Sequence, residues 1–112
     1  MLTSMQNTSL KSIQNQIAIT PALLLYFFSD RCAPCISLRP KVEKLLSDKY
    51  PEMRLIYIDS EKQPEIAGHF GVFSNPTLLL YFDGHEHQRL SKYVAIPQLD
   101  AAISRPYELL ID

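Results

Sequence analysis

The sequence predicts an α/β fold, and three observations carry that prediction. Apolar runs at 22–28, 54–59 and 77–82 are too continuous for strands with one wet face, so they read as strands buried on both sides. Segments with apolar residues at helical spacing lie between them. Asp83-Gly84 then supplies a tight turn that folds the third run back on a fourth strand. The order is α-β-α-β-α-β-β-α, a central mixed sheet of about four strands flanked by helices. At 112 residues the chain is read as a single domain over 1–112, long enough to bury roughly two-thirds of its unfolded surface.

Taken in order, residues 1–8 are polar and expected to be disordered. Thr8-Ser9 is an N-cap pair for a short helix with Leu10, Ile13 and Ile17 on one face, ended by Thr20-Pro21. The strand at 22–28 follows. A helix is expected from about Cys35 to Lys49, with Leu38, Val42, Leu45, Leu46 and Tyr50 on its inner face and the charged residues Lys41, Glu43, Lys44 and Asp48 on its wet face. Pro40 lies inside that pattern and should kink the helix by removing one backbone bond, and Pro51 stops it. After the strand at 54–59, Ser60 or Asp59 caps a helix that is expected to run through Phe70, with Ile66, Ala67 and Phe70 inward and Gly71 near its end. The fourth strand is placed at roughly 87–93. Pro97 opens a last helix carrying Leu99, Ala102 and Ile103, which Pro106 kinks or ends, leaving residues 107–111 as a tail free to pack back on the body.

Composition narrows the function classes. The chain is 46% hydrophobic and 21% charged with a formal net charge of −1, which offers no electrostatic footprint for nucleic acid or an anionic membrane. Both of its cysteines lie in one motif, so no disulfide framework holds the fold together. Met1-Leu2-Thr3-Ser4-Met5-Gln6-Asn7 has no basic residue and no long apolar stretch of the secretory kind, and a cytoplasmic location is expected.

The chemistry is read from Cys32-Ala33-Pro34-Cys35, where the first strand hands over to a helix. Unpaired N–H groups at the helix start and the helix dipole favour a thiolate at Cys32 over a thiol. Cys35, inside the first turn, is placed to attack a disulfide formed at Cys32. Pro34 suits that turn, where a missing N–H is no loss. A pair of inert thiols or half of a zinc site is the competing reading, but zinc needs about four ligands. His85 and His87 lie past the hairpin, roughly 23 Å from the Pro76 end of a strand rising ~3.3 Å per residue, and His69 reads as a surface group.

The element order together with Cys32-Ala33-Pro34-Cys35, the helix proline Pro40, Asn75-Pro76-Thr77 before a Leu-rich strand and the Asp83-Gly84 hairpin resembles the thioredoxin family over roughly residues 9–105. The resemblance implies a thioredoxin-like fold in a four-stranded version, lacking the extra N-terminal edge strand. It implies a cis peptide bond before Pro76, with Pro76 beside the cysteines and Asn75 offering backbone groups to a bound peptide. It also implies an enzyme, a thiol–disulfide oxidoreductase that exchanges Cys32–Cys35 with disulfides in client proteins, reduction being favoured. No cofactor is expected beyond the cysteine pair, and a thioredoxin reductase is the simplest electron donor to a monomeric protein. Apolar surface at Ala33, Pro34, Phe73 and Pro76 would hold the client. A redox-responsive binding or adaptor module with poor turnover is the alternative.

The chain departs from the family pattern at several positions. Arg31 replaces a tryptophan, Ala33 a glycine and Ile36 a basic residue, while Tyr26 replaces a buried acid. Leu55 falls where a lysine is common, and a glycine is missing from Tyr93-Val94-Ala95. Arg31 is either a solvated turn residue or a charge that tunes Cys32, and Tyr26 reads first as a core aromatic whose hydroxyl needs a partner.

Overall fold

The structure, a computed structural model, describes residues 9–111; the expected disorder of residues 1–8 and the cap contribution of Thr8 lie outside the described residues. Elements follow as α1 (Leu10–Ile19), β1 (Ala22–Phe28), α2 (Ala33–Lys49), β2 (Arg54–Asp59), α3 (Pro64–His69), β3 (Thr77–Phe82), β4 (His85–Ser91) and α4 (Ile96–Leu110). The sheet order is β2-β1-β3-β4, with β1 parallel to β2 and antiparallel to β3, and β3 antiparallel to β4. This is the four-stranded mixed α/β sheet the sequence predicts.

Alternation along the strands divides the core into two layers. Leu24, Tyr26, Leu55, Tyr57, Leu78 and Leu80 turn to one face and pack with Leu38, Val42 and Leu46 of α2 and Leu99 and Ile103 of α4. Leu23, Leu25, Phe27, Ile56, Ile58 and Leu79 turn to the other, against Ile13 of α1 and Ile66 of α3. Both faces of β1 and β3 are therefore dry, which explains their unbroken apolar runs. The outer strand β4 buries only Leu90, and its exposed His85, Glu86, His87, Gln88 and Arg89 protect that edge from pairing with another chain.

Several boundaries differ from expectation for identifiable reasons. β4 begins at His85, earlier than 87, because Asp83 (φ 53°) and Gly84 (φ 81°) both take left-handed backbone and close a two-residue turn. Pairing passes from Tyr81 with Glu86 to Leu80 with Gln88, which leaves His87 as a bulge. α2 begins at Ala33, since Cys32 is its N-cap. It continues through Pro40 to Lys49. Neither Asp59 nor Ser60 caps α3: the Asp59 carboxylate accepts the N–H groups of Glu61 and Lys62 in a turn of its own, and the helix starts later at Pro64. Phe70 lies just past its end. Pro106 does not end α4, and no separate tail forms at 107–110. The Tyr107 ring packs on Tyr50 with centroids 4.9 Å apart, and its hydroxyl accepts the Glu52 N–H at 3.0 Å, contacts that hold the last turns on the body of the protein.

Candidate functional site: a dithiol at the end of the sheet

The register brings three segments to one end of the sheet. Phe27 pairs with Thr77, so the residues after β1 and those before β3 are neighbours. Thr77 pairs with Ser91, so the segment after β4 arrives at the same place. Cys32 and Cys35 follow β1, Asn75-Pro76 precede β3, and Lys92 follows β4. The Asn75–Pro76 peptide bond is cis, and the Lys92 N–H donates to the Pro76 carbonyl oxygen at 2.9 Å. Ser60, just past β2, joins them: its N–H donates to the Phe28 carbonyl at 2.8 Å and its hydroxyl bonds the Asn75 side-chain oxygen at 3.0 Å.

Cys32 and Cys35 form a disulfide. Cys32 is half-buried, whereas Cys35 is 2% exposed. The Cys35 N–H donates to Cys32 Sγ at 3.2 Å, so a helix-start amide points at the outer sulfur. An N–H group and a helix dipole so placed favour negative charge on that sulfur once the bond is reduced.

Tyr26 lies under the motif. It is 1% exposed, and its hydroxyl donates to the Cys35 carbonyl oxygen at 2.6 Å, the partner that a buried phenol needs. Burial pushes its pKa up to about 12, with the Arg39 charge opposing and the Glu43 charge adding. Next to it in register stands Tyr57, whose ring meets that of Tyr26 edge-on with centroids 5.3 Å apart. The Tyr57 hydroxyl bonds the Glu43 carboxylate, while the Arg39 guanidinium lies 3.9 Å above the Tyr57 ring and 3.4 Å from Glu43. Sequence reading missed this Arg39–Glu43–Tyr57 cluster. The signal was the four-residue spacing of Arg39 and Glu43 and the position of Tyr57 opposite Tyr26.

Arg31 pairs with Glu61. Its side chain is 84% exposed and its guanidinium bonds the Glu61 carboxylate, which lowers the Glu61 pKa in return. Ala33 and Pro34 are exposed on the first turn of α2. A groove of about 370 Å³ runs beside the disulfide between Pro34, Leu38 and Lys41 on one side and Pro76, Lys92 and Tyr93 on the other. Phe73, 87% exposed, does not line this groove: it stands with Asn75 on a separate depression beside Glu61 and Ala67. The expected apolar surface is thus divided between two places. Lys41, Lys92 and Tyr93 were not foreseen as part of it.

Among the described residues no group of three or more His, Cys, Asp or Glu side chains comes together as a metal site. No helix among them is long and apolar enough to cross a membrane.

Comparison with known proteins agrees with this geometry. The family model described as thioredoxin matches residues 4–105. The thioredoxin-like protein YdfQ of Bacillus subtilis is 34% identical over 101 residues, covering 90% of this chain and 89% of the relative. The thioredoxin of Listeria monocytogenes is 30% identical over 83 residues, 74% of this chain and 81% of its own. Among solved structures, Fasciola hepatica thioredoxin superposes with a TM-score of 0.75 at 28% identity, covering 89% of this chain and 93% of that one.

Proposed function

The chain belongs to the thioredoxin family, and from that premise we propose that it reduces disulfides in client proteins with its Cys32–Cys35 pair. Family and cysteine pair together make it a thiol–disulfide oxidoreductase. The finer reading, exchange with protein disulfides led by Cys32, is supported by one observation above the others. The more accessible sulfur, Cys32 Sγ, receives the helix-start N–H of Cys35 beside an open groove.

In this mechanism the Cys32 thiolate attacks one sulfur of the client disulfide. A Cys32–client bond forms, the client S–S bond breaks, and one client sulfur leaves as a thiolate. Cys35 then loses its proton and attacks Cys32 Sγ. The Cys32–Cys35 bond forms, the Cys32–client bond breaks, and the second client sulfur leaves as a thiolate. Two electrons have passed to the client, and an external dithiol donor, most simply a thioredoxin reductase, returns the pair to its reduced form. Pro34 and Pro76 would hold the client chain, Asn75 would offer it backbone groups, and neither step calls for a further cofactor.

Insulin reduction with dithiothreitol, run beside a Cys32→Ser control, tests the reading. Catalytic turnover that the control lacks is expected. Stable capture of disulfide proteins without turnover would overturn the enzyme in favour of an adaptor that docks one partner.

A further inference from the structure

We propose that the groove beside the disulfide selects client segments with a carboxylate close to their cysteine, received by Lys41 and Lys92. This rests on the disulfide-exchange reading above and adds the chemistry of the preferred client.

The cations around the site fall into two groups. Arg31, Arg39 and Lys62 each have a carboxylate in reach, on Glu61, Glu43 and Asp30. Lys41 and Lys92 are exposed, and among the described residues neither forms an ion pair. Both line the groove, and no acidic residue lines it with them. The unneutralised positive charge near the disulfide is therefore gathered on this groove, whereas the depression against Cys35 on the other side of the helix start has Arg39, already paired with Glu43, and the carboxylate of Asp30. Because the whole chain carries a formal net charge of −1, the charge is local to the groove.

Backbone geometry sets Lys92 apart as well. Its φ of 66° is left-handed, a region that glycine enters freely and that an L side chain resists. Lys92 is held there between β4 and the Pro76 carbonyl, which takes its N–H. Such strain concentrates where a side chain serves a site. Lys41 follows from helix geometry. Pro34, Leu38 and Lys41 recur at four- and three-residue intervals on one face of α2, so Lys41 lies about 10 Å along the helix from Pro34 at ~1.5 Å per residue. An extended client segment covers that distance in about three residues. Lys92, in contact with Pro76, faces positions immediately next to the client cysteine. A client with Asp or Glu one and three residues from its cysteine would meet both charges, whereas Lys or Arg there would be repelled.

The test uses homodimeric peptide disulfides that are identical except for Glu, Gln or Lys one and three residues on either side of the cysteine. Mixed-disulfide formation is timed with the reduced Cys35→Ser protein, and each rate is divided by that of the same peptide with dithiothreitol, which removes differences in intrinsic reactivity. At low salt the Glu peptide should react about tenfold faster than the Lys peptide, and the margin should narrow to about twofold at 0.5 M salt. In a Lys41→Gln/Lys92→Gly background the preference should fall to about twofold at low salt. Glycine suits the left-handed position, so this variant is expected to fold. Equal rates, a preference for the Lys peptide, or a preference that survives the double substitution would overturn the specificity and leave the exchange reaction standing. If none of the peptides reacts, the exchange reading falls and this inference falls with it.

Discussion

Cys32 Sγ accepts the backbone N–H of Cys35 at 3.2 Å, which makes one member of the redox pair the N-cap of the helix that carries the other. The sulfur takes the place that a serine or aspartate oxygen usually fills at a helix start. The same contact that finishes α2 therefore favours charge on Cys32, while Cys35 is nearly buried. In the reduced protein near neutral pH, a bulky alkylating reagent should label Cys32 first by at least about tenfold, read by mass spectrometry of the digested protein. Equal labelling, or faster labelling of Cys35, would reverse the assignment of nucleophile.

Arg31 and Glu61 should tune the couple as an opposed pair. A cation near Cys32 favours its thiolate, stabilises the reduced form and makes the couple more oxidising; Glu61, bonded to Arg31, offsets that field. Arg31→Gln should therefore make the protein more reducing and Glu61→Gln more oxidising. Each should shift the glutathione equilibrium by no more than about threefold, since both groups are solvated, and both effects should shrink in high salt. If both substitutions move the equilibrium in the same direction, electrostatic tuning by this pair is refuted.

What the sequence made legible, and what it hid, divides along physical lines. Continuous apolar runs located β1, β2 and β3 to the residue, because a strand dry on both faces tolerates no polar interruption. Cys32, Cys35 and Pro76 were legible because local covalent pattern and element order place them without knowledge of side-chain directions. Errors arose where long-range contacts compete with local signals. Pro106 was open to either a kink or a stop, and the helix continues through it to pack Tyr107 on Tyr50 and Glu52, residues distant in sequence. Asp59 looked like a helix cap and instead closes its own turn. Phe73 looked like groove wall, yet the turn at 71–75 carries it to the neighbouring depression. Lys41 and Lys92 are 51 positions apart by their numbers, and only the strand register and the helix face bring both to one channel.

Tyr26 should make the second half of the reaction slow. The family pattern implies an acid at this position that helps to remove the Cys35 proton. Tyr26 instead holds its proton to about 12, because burial disfavours the phenolate, and gives its hydrogen bond to the Cys35 carbonyl. At neutral pH it cannot serve as a base. Without one, release of the client depends on the thiolate fraction of Cys35, whose burial disfavours the charged form, so the rate rises about tenfold per pH unit across the neutral range. Stopped-flow kinetics with a peptide disulfide should then show release slower than attack, climbing about tenfold per unit between about pH 6 and 8 with no plateau. Tyr26→Phe should leave that profile unchanged while costing about 1 kcal/mol of stability through the lost hydrogen bond. Tyr26→Asp should speed release and bend the profile toward a plateau, at the expense of stability from a buried carboxylate. Should release already outpace attack in the unmutated protein, or level off within that range, Tyr26 is a packing residue and another group takes the proton.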